Sequence, residues 1–214
     1  LNYKDPQYPI FNTLCPRCDL YERHRLQFLV MGELGKQFDF AKLSMLHFAP
    51  EPRFQEVFRG RFAKYQTADI AAADVDFQVD IRALPFANES FDVILASHVL
   101  EHVDDDAIAI REVHRVLKPN GFALLPIPIV SPYTIEYGAP NPREFGHVRA
   151  VGLDYFDRYR TVFAKVEVRQ SADFPEQHQL YTYEDRTVYP NETAPLRIPM
   201  PGTKHPDFVP ICYR

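Results

Sequence analysis

Two short apolar runs, Phe91 to Ser97 (FDVILAS) and Phe122 to Val130, flank a stretch of helical periodicity, and that arrangement most limits what this chain can fold into. Between them, Ala107, Ile110, Val113 and Val116 recur every three residues along one face. Asp104, Asp105 and Asp106 stand where the positive end of a helix dipole favours carboxylates. Lys118-Pro119-Asn120-Gly121 then stops the helix and turns the chain, since proline cannot continue it and glycine accepts a left-handed conformation.

The rest of the chain repeats this rhythm. Tyr21 to about Phe38 reads as a helix with Leu26, Leu29, Val30 and Leu34 as its apolar stripe. Ser44 to Ala49 is a buried strand ended by Pro50 and Pro52, and Phe54, Val57 and Phe58 follow at helical spacing. Lys64 to Asp69 is a second strand ending in a carboxylate. Gly152 to Phe163 reads as a helix, and Lys165 to Arg169 and Phe208 to Tyr213 as strands. Alternation of this kind implies an α/β fold with an open, mostly parallel sheet covered on both faces. Residues 1 to 20 read as an extended arm. The stretch 171–207, Pro-rich in its second half, reads as an insertion before the last strand, a lid or a partner surface. The 214 residues are expected to form a single domain, 1–214, with 1–40 as arm and first helix.

Composition narrows the function classes. The formal net charge of −5 gives little attraction for nucleic-acid phosphates, so no nucleic acid is expected as a partner. No apolar run approaches the ~18–20 residues of a membrane span, so no membrane is expected either. Three cysteines cannot make a disulfide framework, which favours a reducing, cytoplasmic setting. The triplets Asn88-Glu89-Ser90 and Asn191-Glu192-Thr193 match the glycosylation pattern and read as inert there. The first residue is Leu rather than Met, so a leader is not judged from this end.

From Asp80 to Ile129 the pieces DxxxLPF, SFDVI, HVLEHV and RVLKPNG follow in order. Together they resemble the type-11 branch of class I S-adenosylmethionine (SAM)-dependent methyltransferases. CPRCDLYERHRL at 15 to 26, LHFAPEP at 46 to 52 and HVRAVGLDYFDR at 147 to 158 resemble one subgroup of that branch. The resemblance spans roughly residues 15 to 170. It implies a Rossmann-like sheet of seven strands with an antiparallel C-terminal edge strand, and SAM as cofactor. It also implies methyl transfer to a small or medium-sized acceptor, an oxygen such as a sugar hydroxyl.

In open α/β sheets ligands bind outside the carboxyl ends of the strands. Phe48, Ala49, Pro50 and Glu51, then Asp69 with Ile70, Asp80 with Ile81 and Leu84, and Ser97 with His98 fall at or just past such ends. By the resemblance, Asp69 takes the ribose diol, Asp80 accepts from the adenine amine, Ile81 and Leu84 pack beside the ring, and Glu51 meets the methionyl ammonium. The other fate of such aspartates is to bond their own neighbouring backbone. Most class I members carry a glycine-rich turn after the first strand, whereas Phe48-Ala49-Pro50-Glu51-Pro52 has no glycine. That departure supports a second reading, a non-catalytic partner protein on the same fold. A nicotinamide oxidoreductase is disfavoured because no GxGxxG occurs.

On the acceptor side, Tyr133, Tyr137, His147 and Arg149 are expected in loops after a strand. His147 is the candidate general base for a hydroxyl or amine acceptor, with a structural histidine as the alternative. Arg149 either binds an anionic acceptor group or pairs with Glu136 or Glu144. His98 and His102 flank Glu101; either can face substrate, with His102 expected to pack beneath the site. Arg23, His24 and Arg25 either cover the cleft or begin a solvated helix. Cys15 and Cys18 make one CxxC, and a structural zinc needs four ligands, so no metal is expected.

Overall fold

The computed structural model describes residues 20–214 together with Leu14, Cys15 and Arg17. Cys18 and nearly all of the expected arm lie outside the described residues. The elements run in the order α1 (Glu22–Leu34), β1 (Ser44–Phe48), α2 (Pro52–Phe58), β2 (Lys64–Asp69), β3 (Phe77–Gln78), β4 (Phe91–Ala96) and α3 (Asp106–Val116). Then follow β5 (Leu117–Leu124), β6 (Ile135–Asn141), β7 (His147–Ala150), α4 (Phe156–Arg160) and β8 (Lys165–Gln170). The chain ends with β9 (Tyr181–Tyr183), β10 (Lys204–Pro206) and β11 (Phe208–Tyr213).

Seven strands form one sheet in the order β3-β2-β1-β4-β5-β11-β8. β3, β2, β1, β4 and β5 are parallel, and the C-terminal strand β11 is antiparallel as expected but lies one strand in from the edge, between β5 and the edge strand β8. Alternation along the central strands feeds both faces. Leu46, Phe48, Ile94 and Ala96 join a core with Ile110, Val113, Val116, Tyr155 and Tyr159. Met45, Val93 and Leu95 point the other way, onto Leu26, Val30, Met31, Phe54 and Phe58. Strands buried on both faces are why these runs read as continuously apolar. This is the Rossmann-like architecture with helices on both faces that the sequence implies.

Local details differ. The buried face of α3 is Ala109, Ile110, Val113 and Val116, while Ala107 is exposed. Asp105 caps the helix by accepting from the Ile108 N–H. The left-handed residue after α3 is Asn120 (φ 65°), not Gly121. Gly121 serves close approach instead, because a Cβ there would meet the Asp92 carbonyl oxygen at 2.7 Å. β5 begins at Leu117 and ends at Leu124, short of Pro126 and Pro128, which have no N–H for a ladder. The helix expected over 152–163 is reduced to α4 after a 3-10 turn at Leu153–Tyr155.

Two smaller antiparallel pairs complete the fold, β6 with β7 and β9 with β10. The second lies in the stretch between β8 and β11, which docks on α1. Thr182 donates to Glu22, and Arg25 donates to the carbonyls of His178 and Gln179. Among the described residues no helix is long and apolar enough to cross a membrane.

Candidate active site

The registers of β1, β2 and β4 put their ends side by side. Phe48 pairs with Ala68 on one side and Ala96 on the other, so the residues just beyond them reach one edge together. That edge opens on a cleft of about 670 Å³. Phe48, Ala49, Asp69, Ile70, Asp80, Ile81, His98 and Arg149 line it; Pro50, Glu51, Leu84, Ser97, Tyr133 and His147 are not among its lining residues.

The turn after β1 forms without glycine because Ala49 itself adopts left-handed backbone (φ 45°), with its N–H on the Ala68 carbonyl at 2.9 Å. His98 does the same past β4 (φ 54°), its N–H on the Pro126 carbonyl. Non-glycine residues at positive φ are uncommon and cluster where a fold presents backbone to a ligand.

Asp69 uses one oxygen, Oδ1, to accept from the N–H groups of Ala71 and Ala72 at 2.7 and 2.8 Å. Asp80 is gripped by Arg82, whose Nε lies 3.1 Å from both carboxylate oxygens and whose Nη2 lies 2.7 Å from Oδ2. The Arg82 hydrogen bonds are the main reason the Asp80 carboxyl is held below the usual range. Arg82 also reaches Asp104, joining the β3 side of the cleft to the start of α3. Ile81 is buried beneath, and Leu84 lies deeper in the same core, its N–H on Glu112.

Glu51 turns away from the cleft. Its carboxylate meets His24 Nε2 at 3.2 Å and His47 Nε2 at 3.1 Å. Burial works to raise its pKa, but hydrogen bonds from His24 and His47 outweigh it and hold the group well below the carboxylate range. His47 completes the chain through Tyr65 Oη at 2.8 Å. Ser97 accepts from Gln27 Nε2 at 2.9 Å, tying α1 to the end of β4. Glu22 Oε2, Arg23 Nε, Gln27 Oε1, His98 Nε2 and Asp207 Oδ2 are buried and make no hydrogen bond. Burial, with Glu22 adding to it, pushes the Asp207 carboxyl up to about 6.

Across the cleft, the expected loops are the hairpin of β6 and β7. Gly138, Ala139 and Pro140 face the cleft from its outer strand. Arg149 is buried and takes the second of its two readings, pairing with Glu136 at 3.1 Å. Its Nη1 also donates to the carbonyls of Leu100 and Val103 at 2.5 and 2.7 Å, and Nη2 to that of Asp104 at 3.1 Å. Glu144 lies instead 2.5 Å from Arg197 Nε. Tyr133 is exposed.

His102 lines the cleft rather than packing beneath it. His147 sits behind it, buried, the two rings edge to face with centroids 4.8 Å apart. Burial pushes the His147 ring down to about 4. Fully buried Glu101 lies between them, with His98 Nδ1 3.3 Å away. Burial raises its pKa, but the His98 hydrogen bond and the neighbouring histidines bring it below the carboxylate range. No motif spacing pointed to His102 and His147 as neighbours, because 45 residues separate them.

Residues 46–125 match the family model described as "Methyltransferase domain". Ubiquinone/menaquinone biosynthesis C-methyltransferase UbiE of Escherichia coli is 30% identical over 99 residues, 45% of this chain and 39% of that one. The chain spans well under half the length of the curated relatives it matches. The structure of 1,6-didemethyltoxoflavin-N1-methyltransferase from Burkholderia thailandensis, with bound 1,6-didemethyltoxoflavin and S-adenosylhomocysteine, superimposes with a TM-score of 0.57. The two are 15% identical, over 99% of this chain and 97% of that one. A SAM-dependent methyltransferase from Mesorhizobium loti gives 0.54 at 19% identity, over 86% and 96% of the two chains. These likenesses show the fold.

Proposed function

We propose that this chain binds SAM in the cleft at the ends of β1, β2 and β4 and transfers its methyl group to a small or medium-sized acceptor held under the β6–β7 hairpin. The observation that carries the reading is the convergence of Ala49, Asp69, Asp80 and His98 on one cleft, within a segment matching the methyltransferase domain.

The residues suit a sulfonium nucleoside. A cleft of about 670 Å³ is within the ordinary range for cofactor sites. Asp69 offers its second oxygen to the ribose diol. Asp80 lines the cleft with its oxygens already accepting from the Arg82 N–H, Nε and Nη2, so an adenine amine would share them with Arg82, and Ile81 supplies an apolar floor for the adenine. The left-handed turns at Ala49 and His98 bring backbone, rather than side chain, to the cofactor. Glu51 acts through the loop it braces. SAM supplies an electrophilic methyl, so the protein's task is in-line positioning, which alone supplies ~7–11 kcal/mol in well-oriented reactions.

For an oxygen acceptor such as a sugar hydroxyl a proton must also leave. The histidines at that end are His98, His102 and, behind it, His147. Arg149 ties the hairpin to the Leu100–Asp104 segment and also lines the cleft. Calorimetry with S-adenosylhomocysteine, SAM and NADH tests the reading. Binding of both adenosyl compounds and not NADH is expected; failure of both to bind overturns it. A screen of hydroxyl, amine and carbon acceptors for S-adenosylhomocysteine release then tests the acceptor class.

A further inference from the structure

Glu101, His102 and His147 each offer one ligand atom, and the three atoms lie within 4.8 Å of one another. Oε2 of Glu101 and Nδ1 of His147 are buried and make no hydrogen bond, while Oε1 of Glu101 has His98 Nδ1 3.3 Å away. Burying such groups unpaired is costly, and buried charges that persist are usually paired or bound to metal. We propose that Glu101, His102 and His147 form a binding site for a divalent first-row transition-metal ion at the acceptor end of the cleft.

The donor set carries the choice of ion. Two imidazoles and one carboxylate suit zinc or iron(II), with positions left for an outside ligand, whereas magnesium and calcium take oxygen ligands. Tetrahedral zinc with bonds of ~2.0–2.2 Å spaces its ligand atoms about 3.3 Å apart. The set must therefore draw in by about 1.5 Å, and the partly exposed His102 ring, at 39% side-chain exposure, is the member placed to turn.

The scaffold is already braced for this. Arg149, two residues after His147 on β7, donates to the carbonyls of Leu100 and Val103, on either side of Glu101 and His102. One side chain thus holds the two ligand-bearing segments together. His98 Nδ1, 3.3 Å from Glu101 Oε1, orients the carboxylate from behind. Arg197, whose charge would oppose a cation near His147, is balanced by Glu144 at 2.5 Å.

Because His102 faces the cleft, the open positions of the ion point there too. An acceptor hydroxyl bound to it would lose its proton more readily, as water does on zinc. That role rests on the methyl-transfer reading; binding of the ion does not.

The test uses tag-free, metal-stripped protein without SAM, so its failure is separate from failure of the cofactor reading. Zn²⁺ is titrated by calorimetry with metal analysis after dialysis, and Co²⁺ is followed by its visible bands. Wild type, and a Cys15→Ser/Cys18→Ser variant, are expected to bind about one equivalent. His102→Ala, with its fold checked by circular dichroism, should bind at least about tenfold more weakly, and Glu101→Gln likewise. Substoichiometric uptake by wild type, loss that follows the cysteines, or unchanged affinity in His102→Ala overturns the proposal.

Discussion

Glu51 and His24 meet at 3.2 Å, joining the turn after β1 to the first helix. The same carboxylate holds His47, so one acid fixes a loop that contains no glycine. Its depressed pKa means that the stability it contributes is present above the ordinary carboxylate range and lost as pH falls. Glu51→Gln is expected to cost ~1–3 kcal/mol near pH 7. The deficit should shrink in strongly acid solution. Urea midpoints of both proteins across pH check this, and equal midpoints at pH 7 would remove Glu51 from the brace.

Asp207 works in the opposite sense. Its folded pKa, raised to about 6 by burial, lies above the unfolded value of 3.8. Stability is fully kept below the unfolded value and lost as pH rises through 6. Charged groups around it include Glu22, which adds to the rise, and His98 and Arg23, which oppose it. Asp207→Asn should therefore be more stable than wild type at pH 7, by at most ~3 kcal/mol, with the gain gone near pH 4. A variant less stable than wild type at pH 7 would contradict this.

Arg149→Lys is expected to destabilise by ~3–5 kcal/mol although the charge is kept. A lysine ammonium cannot reach Leu100, Val103, Asp104 and Glu136 together as the guanidinium fork does. Thermal unfolding measures it. A melting temperature equal to wild type would show that the clamp is not needed.

Asp80→Ala should weaken S-adenosylhomocysteine binding by ~1–3 kcal/mol in calorimetry. Its stability change should be smaller, because the carboxylate is partly exposed and its ion pair with Arg82 is screened. Unchanged affinity would place the adenine elsewhere.

The strand-end side of the cleft is largely readable from residue order. Strands ending at Phe48, Asp69 and Ala96 announce themselves as apolar runs cut off by proline, carboxylate or polar residues, and a parallel sheet aligns such ends. The hairpin side was not readable. Gly138, Pro140, Pro142 and Gly146 look like loop residues, and β6 and β7 pair across an irregular register. What holds them in place is Arg149, a tertiary effect invisible to local pattern. Ala107 and Ala109 show a smaller limit: both fit a helix, and only the neighbouring sheet decides which is buried.

The hairpin of β6 and β7 also divides how freely the chain can change. β7 is buried throughout, while Gly138, Ala139 and Pro140 on β6 are exposed along the cleft. Substitutions at Ala139 and Pro140 therefore alter the shape of one wall at little cost in folding, whereas Gly138 stands in left-handed backbone (φ 75°) that strains any side chain. The opposite wall is made of strand ends rooted in the core and does not permit this. On the proposed methyl-transfer reading, a lineage built this way can try new acceptors one surface residue at a time while the strand ends that would hold the nucleoside stay as they were.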